Sequence, residues 1–292
     1  MVAVASTLFA VNAPVVKVIE HTGLSAERLT EVRSTGAFLG FALFALVTRP
    51  GTLAIRRREL LFVAALGIGG LALVQWAYFF AIHRIPIGEA LLIQYLAPAL
   101  VALWARFAFH ERVRDRIWLA LALSLSGIVL VVELWRGKLD GVGIAVAGVG
   151  CLSYAFYLLT AERATQRRDP LSLLAWGFLF ASIFWAILEP WWSFPTDALA
   201  GRTSLLGNLH SLHLPLWLLV LYMVVLGALV PFLLVVSALP RIGATRTAIV
   251  AMLELVVAVL VAWAWLGESL DRVQLVGAAL TLAGIGLAQT TR

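Results

Sequence analysis

Charge is scarce in this chain and cysteine nearly absent. Asp, Glu, Lys and Arg make up 13% of 292 residues, about half the share of a soluble globular chain. So little charge cannot cover a water-facing surface, and a soluble fold is excluded. The one cysteine, Cys151, has no intrachain disulfide partner. It also lacks the neighbouring ligands of a metal site. There is no Walker A loop, no HExxH and no His/Cys cluster. ATP-driven transport by this chain alone and metal chemistry therefore drop out, and no cofactor is expected. No basic segment precedes the first apolar run, which reads as a membrane helix and not as a cleaved signal.

What the chain has in abundance is hydrophobic length. Residues of the apolar class make up 62% of it, and about 20 of them span a bilayer as a helix. Ten runs follow: Val2–Glu20, Leu29–Val47, Leu60–Ile82, Pro86–Phe109, Ile117–Leu134, Val142–Ala161, Leu171–Leu188, Leu216–Leu239, Ala244–Leu266 and Val273–Ala288. The fold expected is an all-α integral membrane protein of ten transmembrane helices. A longer loop with Pro190, Pro195, Asp197, Gly201 and Asn208 separates the seventh span from the eighth.

The net charge of +6 does not mark a nucleic-acid binder, because the basic residues sit in short clusters such as Arg56-Arg57-Arg58 between apolar runs. With the N-terminus inside, 14 of the 22 Lys and Arg fall on the inner side. Arg28 and Arg33, placed at the entry of the second span, count on the outer side. Basic loops favour the cytoplasm, so both termini are expected in the cytoplasm of a bacterial inner-membrane protein.

An internal repeat says more than hydropathy. Shifted by 157 residues, Ala81–Leu130 lies on Ala238–Leu287 without a gap. Arg84-Ile85 meets Arg241-Ile242, Glu111 meets Glu268, and Gly127-Ile128 meets Gly284-Ile285. Five spans per half is an odd number, so the halves insert in opposite senses. Residues 1–136 and 137–292 are thus expected to form a five-plus-five inverted-topology repeat, with a substrate site near mid-membrane between them.

Short motifs fit this frame. The first span reads Asn12-Ala13-Pro14-Val15-Val16-Lys17. The fourth reads Tyr95-Leu96-Ala97-Pro98, with Glu111 beyond it. The ninth reads Leu253-Glu254-Leu255-Val256, then Leu266-Gly267-Glu268. Their order and spacing over nearly the whole chain resemble the drug/metabolite transporter superfamily, EamA type, and within it the bacterial aromatic amino acid exporters. Leu255 stands where the family usually has proline, which predicts a straighter ninth helix. The resemblance implies an exporter of small metabolites, aromatic and other neutral amino acids first among them, working by alternating access.

Candidate site residues follow from cost and depth. Glu254 lies near the middle of its span, where a carboxylate costs at least about 2.5 kcal/mol on insertion scales. It should face the bundle, opposite Gln94, Tyr95 and Pro98, as a substrate-amine or proton site or as a helix-to-helix hydrogen bond. Asn12 sits beside Pro14, whose missing donor frees a carbonyl; it serves either the cavity wall or a neighbouring helix. Tyr78, Phe79, Tyr154 and Tyr157 lie deep enough to stack a planar substrate or simply to pack. Glu89 and Glu133 read as interfacial, Glu111 and Glu268 as caps or gate contacts, and Lys17 as a snorkelling side chain. The expected partners are a small-molecule substrate and membrane lipid, with the chain a monomer. The rivals are a lipid-acting membrane enzyme and an exporter of drugs or nucleosides.

Overall fold

The computed structural model describes residues 1–85, 87–108, 114–132, 140–267 and 271–289. Glu111, Glu133 and Glu268 lie outside them. The described chain is a bundle of α1 (Val2–Glu20), α2 (Ala26–Thr48), α3 (Arg57–Arg84), α4 (Ile87–Gln94 continuing as Ala97–Phe107) and α5 (Asp115–Val132). Then come α6 (Gly141–Thr165), α7 (Pro170–Leu188), α8 (216–242), α9 (244–266) and α10 (Arg272–Gln289). Among the described residues, eight helices are long and apolar enough to cross a membrane. One of these, of 50 residues, divides at Gly243, and α10 is shorter, so the protein is an all-α membrane protein of ten spans. Gly243 has φ 77° and ψ 164°, a backbone that only glycine adopts readily. The loop after α7 adds a small antiparallel ribbon, Arg202–Ser204 paired with His213–Pro215, which the hydropathy pattern does not reveal.

The helix contacts obey a two-fold relation between halves. α2 packs on α7 and α5 on α10, while α3 against α6 is matched by α8 against α1. The α5–α10 contact fixes the sense of the axis. A Cβ on Gly127 would meet the Gly277 carbonyl at 2.5 Å, and one on its repeat mate Gly284 would meet the Ala120 carbonyl at 2.7 Å. Thr281 Oγ1 approaches the carbonyl of Ser124, its own mate 157 residues away, at 3.5 Å. Rising numbers in α5 therefore meet falling numbers in α10. Mates packed antiparallel are related by an axis perpendicular to the helices, which lies in the membrane plane. The repeat is inverted.

Polar clasps tie the α2–α7 pair at both ends. Arg28 binds Glu31 at 2.8 Å and Glu189 at 3.0 Å, and donates to Ser193 Oγ at 2.6 Å. At the other end Arg49 pairs with Asp169 at 2.9 Å; Asp169 also caps α7 by accepting from the Leu171 N–H. Exposed pairs of the second kind contribute under about 1 kcal/mol, so they align the helices more than they hold them. Asp140 caps α6 and pairs with Arg84 at 3.3 Å. The N–H groups of Gly143 and Val142, then Arg84, hold its carboxyl below the usual carboxylate range.

Candidate transport cavity

Four irregularities in the helices surround one interior hollow. α3 is π-helical over Leu66–Ala72 and α8 over Val225–Leu229, at the same 157-residue spacing. α4 breaks at Tyr95–Leu96, where Pro98 brings no donor for the carbonyl of Gln94. The expectation of a straighter α9 is not met. The helix breaks at Met252, the mate of Tyr95, and the Leu255 N–H reaches back only three residues to the Met252 carbonyl at 3.2 Å. The break belongs to the repeat's geometry and does not need the proline.

Side chains from α1, α2, α3, α4, α6, α8 and α9 converge on a cavity of about 70 Å³. On this measure one water needs roughly 10–15 Å³, so the space holds a handful of waters. Of the sequence candidates, Asn12, Tyr78, Gln94, Tyr95, Tyr154, Tyr157 and Glu254 all line it. Phe79 and Pro98 do not. Phe79 is fully buried behind Tyr78, one residue and about 100° round the helix, and Pro98 is buried at the start of the second piece of α4. Glu89, expected at the interface, is instead 3% exposed, because its turn of α4 packs among Ala81, Ile85 and Ala147.

Glu254 has a partner on a neighbouring helix. Tyr95 donates its phenolic O–H to Glu254 Oε2 at 2.8 Å, joining the mate helices α4 and α9 across the axis. Opposite stands Arg33, expected at the outer entry of the second span. The N-cap is Ser25, whose Oγ accepts from the Arg28 N–H, so α2 starts earlier than Leu29 and carries Arg33 two turns inside. Arg33 is 4% exposed. It donates to the Gly227 carbonyl in the π segment of α8 and lies over the rings of Phe79 at 5.4 Å and of Phe9 and Phe232 at 5.9 Å. Three aromatic faces offset part of the cost of burying a cation. Among the described residues, no ion pair joins Arg33 to Glu254.

The polar lining is underused. Asn12 Oδ1, Arg33 Nε, Gln75 Oε1 and the hydroxyls of Tyr78 and Tyr157 are buried without a hydrogen-bond partner among the described residues, and all five residues line the cavity. Buried polar groups are nearly always paired, so these atoms are available to solvent or a solute. The aromatic side is ordered: Tyr154 stacks on Tyr157 at 6.4 Å, and Phe232 meets Tyr157 edge-on at 5.9 Å. Sequence reasoning missed Arg33, Gln75, Phe9 and Phe232. At the repeat spacing, Gln75 and Tyr78 fall on Phe232 and Val235, and all four line the cavity. The first half supplies hydrogen-bonding groups there and the second supplies apolar ones.

Two opposed five-helix halves around a buried polar hollow define a class, the membrane transporters of small molecules. The chain belongs to the EamA-like transporter family, whose model matches residues 1–133 and 141–290. It is 27% identical to the threonine/homoserine exporter RhtA of Salmonella typhimurium over 88% of each chain. It is 26% identical to a probable amino-acid metabolite efflux pump of the same organism, over 83% of this chain and 81% of the relative. An uncharacterized transporter of Archaeoglobus fulgidus is 28% identical over 73% and 70% of the two chains. A crystal structure with 19% sequence identity superposes with a TM-score of 0.74 over 98% of this chain and 94% of the other.

Proposed function

We propose that the protein is a secondary exporter of neutral amino acids, aromatic ones included, working by alternating access at the Arg33–Glu254 cavity. The observation that carries this reading is a buried guanidinium and a carboxylate lining one narrow cavity without pairing to each other. A free amino acid brings the complementary pair, an α-carboxylate for Arg33 and an α-ammonium for Glu254. Charge-assisted hydrogen bonds of this kind are about twice as strong as neutral ones. The stacked Tyr154–Tyr157 wall suits a flat side chain, while Asn12, Gln75 and Gln94 serve polar ones. Relatives named as exporters of threonine and homoserine, and as an amino-acid metabolite efflux pump, support the same substrate class.

In this mechanism the substrate-binding residues are Asn12, Arg33, Gln75, Tyr78, Gln94, Tyr95, Tyr154, Tyr157 and Glu254. Residues 1–136 and 137–292 act as the two moving halves, with both termini cytoplasmic. The breaks in α4 and α9 and the π segments of α3 and α8 are the compliant points, placed alike in both halves. The halves exchange conformations and the cavity opens to each side in turn. No bond is made or broken. The test is uptake into liposomes holding purified protein, with labelled amino acids, nucleosides and cationic drugs. Uptake of amino acids alone is the expected result; uptake of only nucleosides or drugs contradicts it.

A further inference from the structure

Two hollows meet on the outside of the bundle, away from the transport cavity. The first is basic. It has a volume of about 610 Å³ and lies between the start of α3 and the end of α6, with Arg58, Arg163, Arg167 and Arg168 around it and Glu59 as the acid. Arg168 is committed to Glu59, Ser172 and the Ala54 carbonyl. Arg58 and Arg167 are exposed. The second hollow is apolar, about 780 Å³, between α3, the far half of α4 and the far half of α6. Leu103, Phe107, Leu152 and Phe156 line it. Phe62 and Arg163 line both, so the two form one depression, basic at its rim and apolar below.

Its dimensions are those of one leaflet. From Leu152 to Arg163 the helix rises roughly 16 Å at about 1.5 Å per residue, and half of a hydrocarbon core is about 15 Å. The arginines stand at helix ends, where the membrane meets water, and the apolar lining runs from there into the hydrocarbon. A soluble anion has no use for the groove, and a neutral lipid leaves Arg58 and Arg167 unmatched among the described residues. An amphiphile with an anionic head uses both parts.

We infer that this depression binds an anionic glycerophospholipid, its phosphate between Arg58 and Arg167 and one acyl chain in the groove. Arginine clusters recognise phosphate oxygens through paired N–H donors, and basic pockets between spans suit such headgroups. The site also bears on transport. The face of α6 opposite the groove carries Tyr154 and Tyr157, and α4 carries Tyr95 above it. A seated lipid braces the two helices that shape the cavity.

The test is native mass spectrometry of the purified full chain titrated with phosphatidylglycerol, phosphatidylcholine or inorganic phosphate. Wild type should retain phosphatidylglycerol at least ten-fold better than phosphatidylcholine. Arg58→Gln/Arg167→Gln should abolish that preference with an unchanged thermal melt in detergent, since both side chains are exposed. Leu103→Trp, which fills the groove, should weaken both lipids alike. Equal retention of the two lipids by wild type overturns the proposal. So does full retention of phosphatidylglycerol by the double variant, or displacement of that lipid by inorganic phosphate with Leu103→Trp silent, which marks a soluble-anion site. If the double variant melts early, Arg167→Gln alone decides by the same comparison.

Discussion

At the scale of single residues, the site rests on the contact between Tyr95 and Glu254. A hydrogen bond to a charged group is worth about 1.5–3 kcal/mol, and removing the donor leaves a carboxylate in the cavity with one partner fewer. Tyr95→Phe should therefore lower thermal stability by an amount in that range, and an unchanged melt would show that the bond holds nothing. Glu254 was legible in the sequence because a carboxylate in hydrocarbon is costly enough to need a reason. Asn12 was legible by its place beside Pro14 inside the first span, and the deep tyrosines by depth. Arg33 was not, because an arginine near the start of an apolar run reads as a loop residue until the Ser25 cap is placed. Phe79 and Pro98 were misplaced for a simpler reason: sequence distance gives depth but not the direction of a side chain.

Helices are the next scale. The Gly127–Gly277 and Gly284–Ala120 contacts put backbone against backbone, where nothing flexible can move aside. Overpacking a tight contact costs typically about 1–3 kcal/mol, and here two helices must separate. Gly127→Leu should not yield a monodisperse protein by size exclusion, while Gly148→Ala, with nothing within 4 Å of its Cβ, should behave as wild type. Asp140 gives a second check. Its carboxyl sits below the ordinary value of 3.8 because the folded state favours the charged form. The stability it adds is complete above that value and is lost as pH falls through the lowered folded value. Asp140→Asn should remove that part of the acid-side fall in melting temperature; an identical pH profile would refute the cap. The repeat was legible because Arg, Glu and Gly coincided at one offset. The π segments and the break in α9 were not, since a shift of hydrogen-bond register leaves no residue-type signature once the proline is gone.

For the molecule as a whole, the account requires opposed halves and a cavity that selects zwitterions. The proposed cytoplasmic placement of both termini follows the bias of basic residues, and moving Arg33 into the interior strengthens that bias. Labelling of single cysteines added at each end should therefore occur only from the cytoplasmic side; a periplasmic C-terminus would break the ten-span count. Fold class, span number and repeat were all readable from hydropathy and offset, whereas the setting of Arg33 in the cavity with Glu254 needed three dimensions. Selection of zwitterions is measured by counterflow in liposomes loaded with threonine or phenylalanine. The competitors are the parent amino acid, its decarboxylated amine and its deaminated acid. Only the intact amino acid should compete, and Arg33→Gln and Glu254→Gln should each cut exchange at least ten-fold, which corresponds to about 1.4 kcal/mol of binding. Amine or acid competing as well as the amino acid, or full exchange by both variants, would contradict that selection.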